Sequence, residues 1–187
     1  MKQKSSLREI IETLVIAVII ALFIRTFIVQ SFKIPSASMR PTLMEGDKIL
    51  VNKFIYGAKI PFTSIRLPSL REPEVGDIVV FVYPSDPKRD FIKRFIGKAG
   101  DEIEIIEGDV YLNGDKVTAE PIAGFEYTNM GLLAEGSVTV PPENYFVLGD
   151  NSPRSSDSRD WGFVPEDNLI GRAFFIFWPP HRMGTLK

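Results

Sequence analysis

The 187-residue chain contains no cysteine and a single histidine, His181. The first absence removes disulfides, thiol nucleophiles and thiolate-held metals, and leaves the redox compartment unreadable. The second means that a Ser-His-Asp triad would have to recruit His181 from a Pro-Pro-His-Arg tail, where a lone histidine is more often a solvated surface group. A zinc site would lack its usual ligands, and no cofactor motif takes its place. A basic excess is also missing, since Lys and Arg total 22 against 24 for Asp and Glu. Nothing in that balance would neutralise a phosphate backbone, so nucleic acid is not an expected partner. Internal repeats and low-complexity tracts are absent as well. A serine nucleophile in such a chain needs a base other than histidine.

A hydrophobic content of 44% excludes a disordered protein and suits one folded domain with an appendage. The appendage is the apolar run 10–29, which as a helix rising about 1.5 Å per residue would cross about 30 Å of hydrocarbon. Glu12 can reach the interface, whereas Arg25 must snorkel outward. Lys2, Lys4 and Arg8 precede the run, so the positive-inside tendency puts residues 1–9 in the cytoplasm and residues 30–187 outside it. A cleaved secretory signal is the rival reading. Small residues at the required spacing do not follow the run closely, because Ser36 and Ser38 lie well past Arg25 and Lys33. A buried core helix is disfavoured by the length of the run.

The remainder reads as mainly β. Strand patterns occupy Gly46–Lys53, Gly76–Tyr83, Phe91–Ile96, Glu102–Ile106 and Asp109–Leu112, the last leading into an Asn113-Gly114 hairpin signal. Tyr145–Leu148 and Ile170–Trp178 resume that character. Between the first two strands, Tyr56–Pro73 carries Gly57, Pro61, Pro68 and Pro73 without periodicity, which predicts loops or an edge flap. Residues 115–140 are weakly patterned.

Three clusters could carry chemistry. Pro35 and Pro41 bracket Ser36 and Ser38 and stiffen the loop that holds them, a suitable mount for a reactive hydroxyl; on composition alone a flexible linker is the better reading. On an alternating strand Lys93 lies between Phe91 and Phe95, with Ile92, Arg94 and Ile96 on the other face. Burial there would favour neutral lysine, and lowering its pKa from ~10.4 to ~8 would cost about 3 kcal/mol, reasonable only if a neutral amine is useful. Within reach of Ser38 such an amine could act as its general base. Ordinary solvated charges guarding an edge strand are the plainer account of Lys93 and Arg94. The third cluster, 149–162, is dense in Asp, Asn and Ser and reads by itself as an exposed turn.

Taken together, the blocks Ile34-Pro35-Ser36-Ala37-Ser38-Met39-Arg40-Pro41-Thr42-Leu43, Gly76–Phe81, Asp90–Gly97 and Gly149-Asp150-Asn151 through Ser155-Ser156-Asp157-Ser158-Arg159, with Trp161–Pro165 beyond, resemble the type I signal peptidases. The resemblance covers nearly the whole chain in the family's order. It implies a membrane-bound serine endopeptidase of β-rich fold that removes signal peptides from exported preproteins at the outer face of the cytoplasmic membrane. Cutting would follow small residues, without metal or cofactor, with the bilayer and the export machinery as partners. By position it implies Ser38 as nucleophile, Lys93 as general base, Ser36 as an oxyanion-hole hydroxyl and Ser155, rather than Ser156, as the group that orients the lysine. Asp150 with Arg94, and Asp157 with Arg159, would be bracing ion pairs. Phe32, Ile34, Pro35, Met39, Leu43, Phe91 and Ile92 would line the substrate groove.

Two departures stand out: Ala37 where glycine is frequent, and Ser152-Pro153-Arg154 where Arg-Asp-Asn is more usual. The short segment between Lys93 and Gly149 predicts a small non-catalytic β insertion at about 101–145. Two rivals make different predictions. A self-cleaving Ser-Lys regulator would carry a DNA-binding module in place of the apolar run, and a tethered β domain without catalysis would be indifferent to Ser38→Ala.

Overall fold

Apolar residues at every position around a helix cannot all face one core, and the N-terminal segment does not try to. In the computed structural model, which describes residues 6–60, 63 and 65–186, helix α1 (Ser6–Phe23) is continued by one wider turn, Ile24–Ile28. The apolar stretch Leu7–Ile28 runs for 22 residues with none of its most hydrophobic window buried, so that window packs into no core, and the stretch is long enough to match about 30 Å of hydrocarbon. Val29, expected as the last helical residue, is already in strand β1 (Val29–Lys33), because pairing with β2 (Lys48–Asn52) from Val29↔Asn52 to Lys33↔Lys48 overrides its helical surroundings. Lys2 and Lys4 lie outside the described residues, as does Pro61.

Beyond the apolar helix the protein is mainly β. Strands β3 (Ile78–Val82) and β4 (Asp90–Lys98) follow, then β5 (Glu102–Ile106), β6 (Asp109–Leu112), β7 (Asp115–Lys116) and β8 (Val138–Thr139). The chain closes with β9 (Asn144–Leu148), a four-residue helix α2 (Ser158–Trp161), β10 (Val164–Pro165), β11 (Leu169–Trp178) and β12 (Gly184–Thr185). All pairings are antiparallel. One sheet has the order β1-β2-β11-β3-β4-β9-β10, with β12 on β11; the other has the order β7-β6-β5-β8. The Asn113-Gly114 pair turns β6 into β7 with both residues at positive φ, 54° and 85°, the geometry that this dipeptide favours.

Strand β4 is the hinge of the core. Its alternation sends Phe91 and Phe95 toward Phe81 and Val147, while Ile92 packs toward Ile34 and Ile78 and Ile96 joins Ile103 and Val110 of the small sheet. Strand β9 covers only Arg94–Lys98 on the side away from β3, so among the described residues Asp90–Lys93 keep a free edge. The excursion 56–73 is less loose than its prolines and glycine suggest. Arg66 donates to the carbonyls of Gly57, Asp167 and Leu169 at 2.9, 2.7 and 2.7 Å, and Arg71 grips Asp77 at 2.8 and 3.0 Å. The weakly patterned stretch 115–140 is likewise held by buried Ile122, Tyr127 and Leu133.

Candidate active site

Ser38 sits in a single tight turn, Ala37–Met39, entered from an extended Ser36 (φ −137°, ψ 162°). Met39 and Leu43 anchor that turn: both are fully buried in the cluster with Ile34, Ile49 and Val51. The turn is also tied from the far end of the chain. Asn151 donates its backbone N–H to the Ser38 carbonyl at 3.0 Å and its Nδ2 to the Ala37 carbonyl at 2.9 Å. Gly149 passes so close that a Cβ there would collide with the Ser38 carbonyl and the Ser155 side chain, which accounts for glycine at this position.

Strand β4 delivers Lys93 to the same place. Its Nζ lies 2.8 Å from Ser38 Oγ and 3.1 Å from the Ile92 carbonyl, with the Phe91 ring centroid 5.4 Å away. Lys93 is 4% exposed and Ser38 7%. Burial pulls the lysine pKa down to about 8, against the opposing pull of Asp157 and Asp150. At that value an appreciable share of the amine is neutral near pH 8, and a neutral amine at hydrogen-bond distance can accept a hydroxyl proton.

Two buried ion pairs stand behind the pair. Arg94 binds Asp150 through Nε and Nη2 at 2.7 and 2.6 Å, and its Nη1 reaches the Gly76 carbonyl at 2.5 Å. Thr42 Oγ1 donates to the same aspartate at 2.5 Å. Arg159 binds Asp157 through Nε and Nη2, both at 2.8 Å, and Asp157 also accepts the Gly149 N–H at 2.9 Å. The charges are therefore neutralised with bidentate geometry, the arrangement in which buried ions are tolerated. One pair reaches the Ser38 turn through Thr42, the other through Gly149.

A cleft of about 520 Å³ opens beside Ser38, lined by Pro35, Ser36, Ser38, Arg89, Asp90, Phe91, Ile92, Lys93, Arg154 and Ser156. Of the residues expected to line a groove, Pro35, Phe91 and Ile92 do so. Ile34, Met39 and Leu43 lie beneath the surface in the core, and Phe32 packs partly buried against them, because the apolar side chains of this loop complete the cluster under the sheet. Ser36 is exposed on the cleft wall. Ser155 is buried against Gly149, and its Oγ has no hydrogen-bond partner among the described residues; Lys93 bonds to Ser38 and the Ile92 carbonyl instead. Ser156 reaches the cleft. His181 lines a separate concavity with Trp178 and Arg182. Asn151 and Thr42 are the contributors that sequence reasoning leaves without a role; their places inside the first and last blocks are the only signal of them.

Against known proteins, the family model described as signal peptidase, peptidase S26, matches residues 7–178. A probable signal peptidase I-2 of Synechocystis is 43% identical, over 95% of this chain and 76% of its own length. Signal peptidase I of Pseudomonas aeruginosa is 37% identical, over 89% and 72%. A solved signal peptidase I from Enterococcus faecalis aligns with 55% of this chain and 97% of its own at 33% identity, with a TM-score of 0.47.

Proposed function

The chain belongs to the signal peptidase family, peptidase S26, and we propose that it removes signal peptides from exported preproteins by a Ser38–Lys93 dyad, cutting after small residues. The observation that carries this reading is the 2.8 Å contact between a buried serine hydroxyl and a buried lysine amine whose pKa is lowered to about 8. Neutral Lys93 takes the Ser38 proton as Oγ attacks the scissile carbonyl carbon. The oxyanion that forms is met by the Ser36 hydroxyl and the Ser38 N–H, a pre-organised donor set of a kind whose loss typically costs 10²–10³ in rate. Collapse breaks the peptide bond, with Lys93 returning the proton to the leaving amine. Water then attacks the Ser38 ester with Lys93 again as base, which regenerates the hydroxyl.

The free edge of Asp90–Lys93 suits an extended substrate, which would add as a strand and place alternate side chains against Pro35, Phe91 and Ile92. A shallow apolar wall of this kind favours small side chains next to the cut. Ser155 remains the candidate for orienting the lysine once substrate closes the cleft, since its hydroxyl is buried beside Gly149 without a partner. The apolar helix anchors the protein in the cytoplasmic membrane, with the N-terminus inside and the β domain outside. Strand β1 spans about 17 Å, so the cleft stays close to the surface where a tethered signal peptide emerges.

The test is cleavage of a preprotein by detergent-solubilised protein. Ser38→Ala and Lys93→Met should each lower the rate by about three orders of magnitude or more while leaving the fold intact. Full activity in either variant overturns the dyad, and no cleavage by the parent protein restores the non-catalytic reading.

A further inference from the structure

The cleft carries two guanidinium groups that this mechanism does not use. Arg89 and Arg154 both line it and are exposed, and Asp90 is the only carboxylate among the lining residues. Glu45 lies near enough to feel Arg154, but Arg40 holds it through hydrogen bonds of 2.7 and 3.0 Å. Arg89 is engaged with rings, its guanidinium 5.1 Å from the Phe91 centroid and 5.9 Å from that of Tyr83. Arg154 makes no ion pair among the described residues.

The position of Arg154 is set by the nucleophile's own support. It ends the short turn Ser152–Arg154, and its N–H donates to the Asn151 carbonyl at 2.9 Å, while Asn151 donates to the Ser38 carbonyl at 3.0 Å. In the peptidase reading, residues before the cut lie along Asp90–Lys93, and the chain after the cut leaves Ser38 away from that edge. Arg89 directly precedes β4, next to Asp90 at the start of that free edge and four positions before Lys93, on the side of the residues before the cut.

We propose that Arg154 is a specificity-determining residue that favours a carboxylate side chain in the first residues after the bond that is cut, an inference that rests on the peptidase reading. Attraction between exposed partners is modest and screened by salt. The chemistry of the site therefore predicts a graded preference for acidic over neutral over basic residues.

Three synthetic preprotein peptides, identical except for Asp, Ala or Lys at the second residue after the cut, test this with the full chain in non-ionic detergent. The kcat/KM values should fall in the order Asp, Ala, Lys, with Asp ahead of Ala by about two- to fivefold, a gap that narrows in about 0.5 M salt. Arg154→Gln should flatten the series and Arg154→Glu should invert it, which a merely structural residue would not do. Equal Ser38-dependent cleavage of all three peptides overturns the proposal and leaves the peptidase reading standing. So does a preference lost in Arg89→Gln but kept in Arg154→Gln. Failure to cut the Ala peptide, or cutting of it by Ser38→Ala, overturns the peptidase reading itself.

Discussion

Burying the Lys93 amine separates its folded pKa of about 8 from the usual lysine value of 10.5, a gap equivalent to about 3 kcal/mol. Between those two values the unfolded chain binds more protons than the folded one, so stability rises with pH across that window. Below about pH 8 the penalty is carried in full, and above 10.5 it is gone. Lys93→Met should therefore stabilise the fold at neutral pH by about 1–3 kcal/mol and lose the gain between pH 8 and 10.5 that the parent shows, as denaturant titrations of both proteins at several pH values would establish. No such difference would mean that the amine is not buried as a charge in the fold. At this scale the sequence was partly legible. Alternation along β4 set Lys93 beside Phe91, whereas Ser38 could be offered as its partner only on the condition that the two come within reach, since no local pattern links residues 55 positions apart.

The elements around the site act as struts. Strand β4 brings Arg94 to Asp150, and the turn before α2 brings Asp157 to Arg159, each pair fully buried. Asp150→Ala strands a buried guanidinium and should cost about 3–5 kcal/mol, while the paired replacement Arg94→Met with Asp150→Leu should cost much less; melting curves of the two variants decide this. Gly149 is a different kind of strut, valuable for the side chain it lacks. Gly149→Ala pushes against the Ser38 carbonyl and Ser155, and should lower kcat/KM by about 10²-fold and stability by about 1–3 kcal/mol, read from kinetics and melting curves. The ties from Thr42 to Asp150 and from Asn151 to Ala37 cross 108 and 114 residues. Sequence periodicity reports which face of a strand is apolar, but not which distant loop lands on it. The same limit explains why Met39 and Leu43, placed at the groove by resemblance, prove to be core residues under it.

For the whole molecule, helix α1 and the β body share few contacts: the most hydrophobic window of Leu7–Ile28 is unburied, and the bond from Lys53 N–H to the Ile28 carbonyl, 2.9 Å, lies at its end. Removing residues 1–28 should leave the melting temperature of the β body within a few degrees of the parent and abolish its partition into vesicles, measured by calorimetry and sedimentation. The strand order of the large sheet could not be read from the chain, because β11, near its C-terminus, enters between β2 and β3. Such long-range pairings follow from tertiary packing and leave no local signature. What the sequence did convey was the alternation of apolar runs and turns, enough for the fold class and for one apolar helix ahead of the strands.

The central claim is that a neutral, buried Lys93 serves as the base for Ser38, and the pH dependence of kcat/KM on a preprotein peptide tests it most directly. A base must be unprotonated to work, so the rate should climb about tenfold per pH unit below the Lys93 pKa and level off above it, with an apparent pKa near the value of about 8 set by burial. A rate that stays constant from about pH 6 to 9, spanning that value, would contradict it.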